Sequence, residues 1–277
     1  MKVSGFTFLN EAVKRGYPFR ESIRSALPVC DEFVVVVGPA EDGTVEALEE
    51  LNDPKIKIYR SMWNPNFRSW YVYGQQANIA LFNCTGDWAF YIQGDEVIHE
   101  DDYEVLLSTM EKHLNNSEVE GLTFDYVHFY GNHNTQAWSP RWYRQEIRII
   151  RNNIRAIFPN DAQYPILLLN NKRSRYMKAA SSGARMYHYG WVQSEFLNNG
   201  GCHPAPHCDR VDPETLVPFT STHPAAMHDL LKLEIKDVFQ ADPDHKLTPR
   251  EIKHRMALYV ERFTGLTIGK KHFIPVK

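Results

Sequence analysis

No stretch of this chain approaches the ~18 consecutive apolar residues that a membrane-crossing helix needs. The N-terminus, Met-Lys-Val-Ser-Gly-Phe-Thr-Phe, also lacks the long apolar core of a secretory signal peptide. Cysteine is scarce: Cys30, Cys84, Cys202 and Cys208 are too few and too scattered for a disulfide scaffold in a chain of 277 residues. Together these absences give a soluble protein with no transmembrane segment, expected in the cytoplasm. Charge of one sign is missing as well. Thirty-one basic residues stand against 34 acidic ones, a net charge of −3, which supplies no global field for gripping nucleic acid. Any phosphate contact must be local.

What is present is an ordinary globular composition, 43% hydrophobic and 23% charged, long enough for one large domain or one domain with a C-terminal appendage. Val3 to Leu9 reads as a strand ending in Asn10-Glu11. After Gly16-Tyr17-Pro18, a helix follows in which Phe19, Ile23, Ala26 and Leu27 share a face. Phe33 to Val37 is a β-branched run without polar alternation, as expected of a strand covered on both faces. It leads through Asp42-Gly43-Thr44, where Thr44 is expected to cap a helix through Leu51, to a third strand at Ile56 to Tyr59. This β-α-β-α-β order is doubly wound. Residues 60 to 72 form a long aromatic loop containing Trp63, and Val72 to Phe82 reads as a helix carrying Gln75, Gln76 and Asn78.

The chain is organised around the next stretch, Gly86 to Ile98. Trp88, Phe90 and Ile92 alternate with Ala89 and Tyr91 as in a fully buried strand, Gly94 breaks it, and Asp95-Glu96 appear at the break. In open α/β sheets that end of the strand borders the ligand crevice. A carboxylate there, with Gly94 letting a ligand approach the backbone, suits a divalent cation carrying a phosphorylated substrate; an acidic turn after a core strand is the plainer alternative.

Farther on, an acid-started helix is expected over 101 to 114 and a strand over Gly121 to Tyr130, with Asp125 and His128 along it. Arg141, Arg144, Arg148, Arg151 and Arg155 would form a basic stripe on a helix. The β-branched runs flanking Asn152-Asn153 argue instead for a hairpin pairing Glu146–Arg151 with Ile154–Phe158. Strands follow at Ile166 to Leu169 and Met186 to Val192, and residues 198 to 224 mark a boundary rich in Gly, Pro, Cys and His. Cys202-His203-Pro204-Ala205-Pro206-His207-Cys208 offers four potential zinc ligands, but its spacing fits no common pattern and its prolines limit their convergence. Thr248-Pro249-Arg250-Glu251 forms a capping box ahead of an apolar stripe, Ile252, Met256, Tyr259, Val260 and Phe263, expected to pack on the core or to make a homo-oligomer.

These segments resemble the family 2 glycosyltransferases, inverting enzymes of the GT-A fold that use nucleotide-sugar donors. The resemblance runs from about Lys2 to Val192. It is carried by Thr7-Phe8-Leu9-Asn10-Glu11, Asp42-Gly43-Thr44, the Gln75 to Asn78 helix, and Gly86-Asp87-Trp88 leading to Gln93-Gly94-Asp95-Glu96. Its implication is a GT-A-like, doubly wound, mostly parallel α/β sheet with helices on both faces over residues 1–192; beyond it, where the resemblance fades, the loop-rich and helical residues 193–277 form a C-terminal extension expected to bind the acceptor or to make an oligomer. Thr7, Asn10, Glu11, Asp42, Gln75, Asn78, Gly94 and Trp191 would then bind the donor. Asp95 falls on the last acid of the family's Asp-X-Asp motif and would hold the divalent metal, Mn²⁺ or Mg²⁺, together with His188. Gln93 stands where the first acid is usual, and Val37-Gly38 replace the acid that often follows the second strand.

The chemistry so implied is attack by a hydroxyl of a saccharide or other acceptor on the anomeric carbon of a nucleotide-diphosphate sugar. The acceptor proton needs a carboxylate. Asp161, in a polar turn, ranks first, with Glu146 and Asp125 as alternatives. Each has a structural reading too: a turn-stabilising residue, a cross-strand partner for Arg155, and a buried hydrogen-bonded acid, respectively. His188 reads equally as a core histidine. Nucleotidyl transfer would call for a Gly-rich loop that Thr7 to Ala12 does not contain, and a binding module without activity would account for Gln93.

Overall fold

The structure is a computed structural model and describes residues 1–64, 66–67, 69–170, 172–192, 211–232 and 241–276. The Cys202–Cys208 cluster lies outside the described residues. The elements run β1 (Val3–Leu9), α1 (Phe19–Ala26), β2 (Glu32–Val37), α2 (Thr44–Glu49), β3 (Ile56–Arg60), α3 (Ser69–Phe82), β4 (Trp88–Tyr91), β5 (Glu96–Ile98) and α4 (Tyr103–His113). They continue with β6 (Gly121–Ala137), β7 (Gln145–Arg151), β8 (Ala156–Ile157), β9 (Ile166–Asn170), β10 (Arg173–Val192), β11 (Leu216–Pro218), α5 (His228–Leu231), α6 (Pro249–Thr264) and β12 (Phe273–Pro275).

Valines of β2 show why the sheet is covered on both faces. Val35 and Val37 join α1, α2 and α4 residues such as Ile23, Leu48 and Leu106 in one core. Val34 and Val36 point the other way, against Ala77, Ala80 and Leu81 of α3. Strand order is β3-β2-β1-β4-β7-β6-β10-β9-β8. The first four strands are mutually parallel, β7 runs antiparallel between β4 and β6, and β6 and β10 are again parallel. The C-terminal ends of β1, β2 and β4, the start of β7 and the middle of β6 and β10 therefore meet along one edge. This is the mixed α/β, GT-A-like architecture expected from the sequence.

Several local expectations need correction. Ile154–Phe158 does not pair with Glu146–Arg151. The chain turns at Asn152-Asn153, but β7 lies between β4 and β6, and β8 pairs with β9. Glu146 consequently has no cross-strand Arg155. Thr44 is the first residue of α2 rather than its cap, which is Gly43 in a left-handed conformation at φ 85°. The Thr44 hydroxyl instead accepts from the Ala12 and Val13 N–H groups. The Met186 strand belongs to the much longer β10, the Gly121 strand extends to Ala137, and β11 and β12 of the C-terminal region add to β6 and β10. The capping box on α6 is present, with Thr248 and Glu251 bonding reciprocally. Its apolar stripe, however, is exposed, and Phe263 is 90% accessible. The face of α6 that packs inward carries Leu258 and the ion pairs of Arg255 with Asp212 and Glu261 with Arg144. No described helix is long and apolar enough to cross a membrane.

Candidate functional site

Gly94 and Asp95 leave the sheet where β4 stops, and the turn they form is fixed by a fully buried ion pair. Arg148 Nη2 lies 2.7 Å from Glu96 Oε1, and its Nε lies 3.0 Å from Oε2. Both side chains have no solvent exposure. Glu96 also accepts from the Tyr126 hydroxyl at 2.6 Å and from the Gln93 backbone N–H at 3.0 Å. Buried charges are tolerated only when paired and hydrogen-bonded in this way. Glu96 thus organises the turn, and Asp95 is presented by it.

Asp95 is itself buried, and its Oδ2 faces His188 Nε2 at 3.5 Å. The proton arrangement behind His188 follows from the acceptors. The Tyr143 carbonyl can only accept, so His128 Nε2, 2.6 Å away, carries a proton. Burial, then the neighbouring His188 ring, push the His128 pKa far below the ordinary histidine range. Its Nδ1 is therefore a bare acceptor, and His188 Nδ1 donates to it at 3.0 Å. In neutral His188 the remaining Nε2 lone pair then points at the Asp95 carboxylate. Two acceptors facing one another repel unless a proton or a cation lies between them. An imidazole nitrogen and a carboxylate oxygen are donor types that a transition-metal ion such as Mn²⁺ accepts, with other oxygens completing its shell. Among the described residues no cluster of three or more His, Cys, Asp or Glu is arranged to hold a metal ion. Further ligands would come from substrate and water.

Gly190 makes this pairing possible. A Cβ there would sit 2.5 Å from Asp95 Oδ2 and 2.7 Å from His188 Nε2, so no larger residue fits without separating them. Gly94 meets a different need: a Cβ on it would come 2.9 Å from the Leu9 side chain, so its smallness serves packing against β1.

Beside Asp95, the β1 and β2 ends form an aromatic and polar wall. Gly38 is closely approached by Trp63 Nε1 and Asn10 Oδ1, and both atoms are buried without a hydrogen-bond partner, as is Thr7 Oγ1. Tyr73 stacks on Phe8 at 5.9 Å and meets Trp63 edge-on at 5.6 Å. Asp42 braces this wall. It accepts from the Lys14 N–H at 2.8 Å and from the Thr44 hydroxyl at 2.6 Å. Burial alone would raise its pKa, but the bonds from Lys14 and Thr44 prevail and lower it. Glu11, at φ 49°, pairs with Lys14 at 2.9 Å in the same turn.

The turn containing Asp161 is carried to this edge by α3 and by Gln93. Asn78 bonds both the Phe158 N–H and the Phe158 carbonyl, Gly74 N–H donates to the Asn160 carbonyl at 2.9 Å, and Gln93 Nε2 reaches the Ala162 carbonyl at 3.4 Å. An aspartate at position 93 could not make that last bond. Asp161 is exposed, and its Oδ1 accepts from the Gln163 N–H at 3.2 Å.

The remaining expectations fare differently. Glu146 is fully buried, held by His272 Nδ1 at 2.6 Å, with Oε2 unpartnered. Burial raises its pKa against the opposing pull of His272. Asp125 is exposed rather than buried and bonds Gln145 at 2.7 Å. Gln75 lies on the exposed face of α3, and its buried neighbour Gln76 bonds the Met62 carbonyl at 3.2 Å. Trp191 packs on Tyr130 in a cluster with Trp142 and Val211. Sequence reasoning missed Arg148, Tyr126, His128 and Gly190 as parts of the site.

The sequence profile of glycosyl transferase family 2 matches residues 17–164, just over half of the chain. No curated protein sequence matches. Among solved structures, the crystal structure of S. aureus TarS is 19% identical, with a TM-score of 0.33, covering 48% of this chain and 22% of that one. The crystal structure of S. aureus TarS 1–349 in complex with UDP is 17% identical, with a TM-score of 0.37, covering 55% of this chain and 47% of that one. The chain thus spans less than half the length of either.

Proposed function

The chain belongs to glycosyl transferase family 2, and on that premise we propose that it transfers a sugar from a nucleoside diphosphate donor to an acceptor hydroxyl with inversion at the anomeric carbon. The observation that carries the reading is the Asp95–His188 pair at the edge of the sheet, backed by His128 and crowded by Gly190. Asp95 and His188 are the residues that would hold Mn²⁺ or Mg²⁺. Bound there, the ion would neutralise charge on the departing diphosphate as a Lewis acid.

This chain's own groups do the rest. Thr7, Asn10 and Trp63 offer unpartnered polar atoms, and Phe8 and Tyr73 an aromatic surface, for the base and ribose. Asp161 takes the acceptor proton as the acceptor oxygen bonds to the anomeric carbon and the bond from that carbon to the diphosphate oxygen breaks. We favour Asp161 over Glu146 on access: its carboxylate is exposed, whereas Glu146 is sealed behind His272. Residues 1–192 would bind donor and carry the chemistry, and 193–277, which returns strands to the same sheet, would serve the acceptor side.

Thermal denaturation with a panel of nucleoside diphosphates tests this. At ligand near 100 Kd, linkage stabilises by about 2.7 kcal/mol, a rise of roughly 5–10 °C for a domain of this size. The rise is expected with Mn²⁺, to be absent in EDTA, and to be absent in Asp95→Asn. Equal stabilisation in EDTA and in Asp95→Asn would contradict the role of the pair.

A further inference from the structure

A cavity of about 510 Å³ opens between α6, the segment 267–272 and residues 140–145 at the start of β7. Its lining includes Arg141, Arg250, Lys253, Lys270 and Lys271 and no acidic side chain. All five are exposed. Arg144 stands in the same wall. Its Nη1 is bonded to Glu261 and the Ile268 carbonyl, but Nε and Nη2 are buried without acceptors. Burial first, and Arg250 and Arg141 after it, push the His254 pKa below the ordinary range. In a chain whose net charge is −3, such a one-sided lining is a local device. Its positive potential favours an anionic ligand.

The cavity adjoins the candidate site at two residues. Gln163 lines it and donates its N–H to Asp161 Oδ1. Tyr143 lines it and holds His128, the support of His188. A ligand seated there would touch residues that bond the proposed base and the ring behind His188.

We propose that this cavity binds the acceptor and that the acceptor carries oxyanions, phosphate or carboxylate, which the Arg and Lys side chains of α6 and the 267–272 segment recognise. That the ligand is the acceptor rests on the transferase reading, while the anion site stands on the lining itself. Its volume is in the range of saccharide-sized ligand sites.

Isothermal titration in EDTA, with inorganic tripolyphosphate, trigalacturonic acid and neutral maltotriose as probes, tests it. Tripolyphosphate or trigalacturonic acid is expected to bind, the tighter of the two identifying the oxyanion, and maltotriose to bind at least tenfold more weakly. Arg250→Glu/Lys253→Glu and, separately, Lys270→Glu/Lys271→Glu should each weaken the charged probe at least tenfold. Asp95→Asn should leave it unchanged. All four side chains are exposed, and coincident thermal melts would separate a lost site from a lost fold. Equal affinity in wild type and both double variants, equal binding of maltotriose, or loss of binding in Asp95→Asn would overturn the proposal. Failure of the transferase reading shows separately, as absent stabilisation by any nucleoside diphosphate in Mn²⁺.

Discussion

Replacing Asp161 with Asn is expected to lower kcat by about 10²- to 10⁴-fold while nucleoside diphosphate stabilisation in Mn²⁺ stays as in wild type. The amide keeps the oxygen that accepts from the Gln163 N–H, so the turn survives and only the capacity to take a proton is removed. The wall at Asn10 and Trp63 belongs to other elements and is not disturbed. Release of nucleoside diphosphate from a nucleotide-sugar, followed with saturating acceptor, measures the loss. Glu146→Gln provides the contrast. Its carboxylate is inaccessible and bonded to His272, so a smaller change is expected there. A large loss in Glu146→Gln with little in Asp161→Asn would transfer the base to β7.

The second large effect concerns stability. Arg148→Met leaves the Glu96 carboxyl in the core without its cation, a change that destabilises by about 3–5 kcal/mol where buried pairs are broken one-sidedly. At roughly 2–4 °C per kcal/mol for domains of this size, the melting midpoint should fall by on the order of 10 °C. Removing the charge as well, in Glu96→Gln/Arg148→Met, should recover much of the loss, because the buried charge rather than the lost contact dominates. A double variant no more stable than Arg148→Met in thermal melts would mean that packing around the guanidinium, between Tyr91 and Tyr126, matters more than the pairing. Activity offers a further distinction: the double variant should remain impaired, since the Gln93–Glu96 turn that presents Asp95 is held by these same bonds.

The parts of the site that lie close in sequence were legible. An uninterrupted apolar run from Trp88 to Ile92 is followed by Gln93-Gly94, and an acid placed just after it lies at the edge of the sheet, as Asp95 does. The unbroken apolar run of β2 is equally plain, and its residues Phe33 through Val37 alternate between two cores. The rest depended on partners far along the chain. Arg148 reads as one member of an arginine series until β7 is inserted between β4 and β6, which brings it to Glu96 from 52 positions away. Asn152-Asn153 announces a turn correctly, but a turn signal does not name the strands it joins. Gly190 is one glycine among 15, and its necessity exists only because the ends of β4 and β10 converge on its missing Cβ. The exposed stripe of α6 reflects a different limit. Periodicity finds the apolar face, yet Arg255 and Glu261 are drawn to Asp212 and Arg144, and those ion pairs set which side turns inward.

The most direct test is a crystal structure of the protein with a nucleoside diphosphate and Mn²⁺, with anomalous differences collected at the manganese edge. One anomalous peak is expected at the Asp95 carboxylate and His188 Nε2, in contact with the diphosphate, with the base against Asn10 and Trp63. A diphosphate bound elsewhere, or manganese away from position 95, would contradict the account.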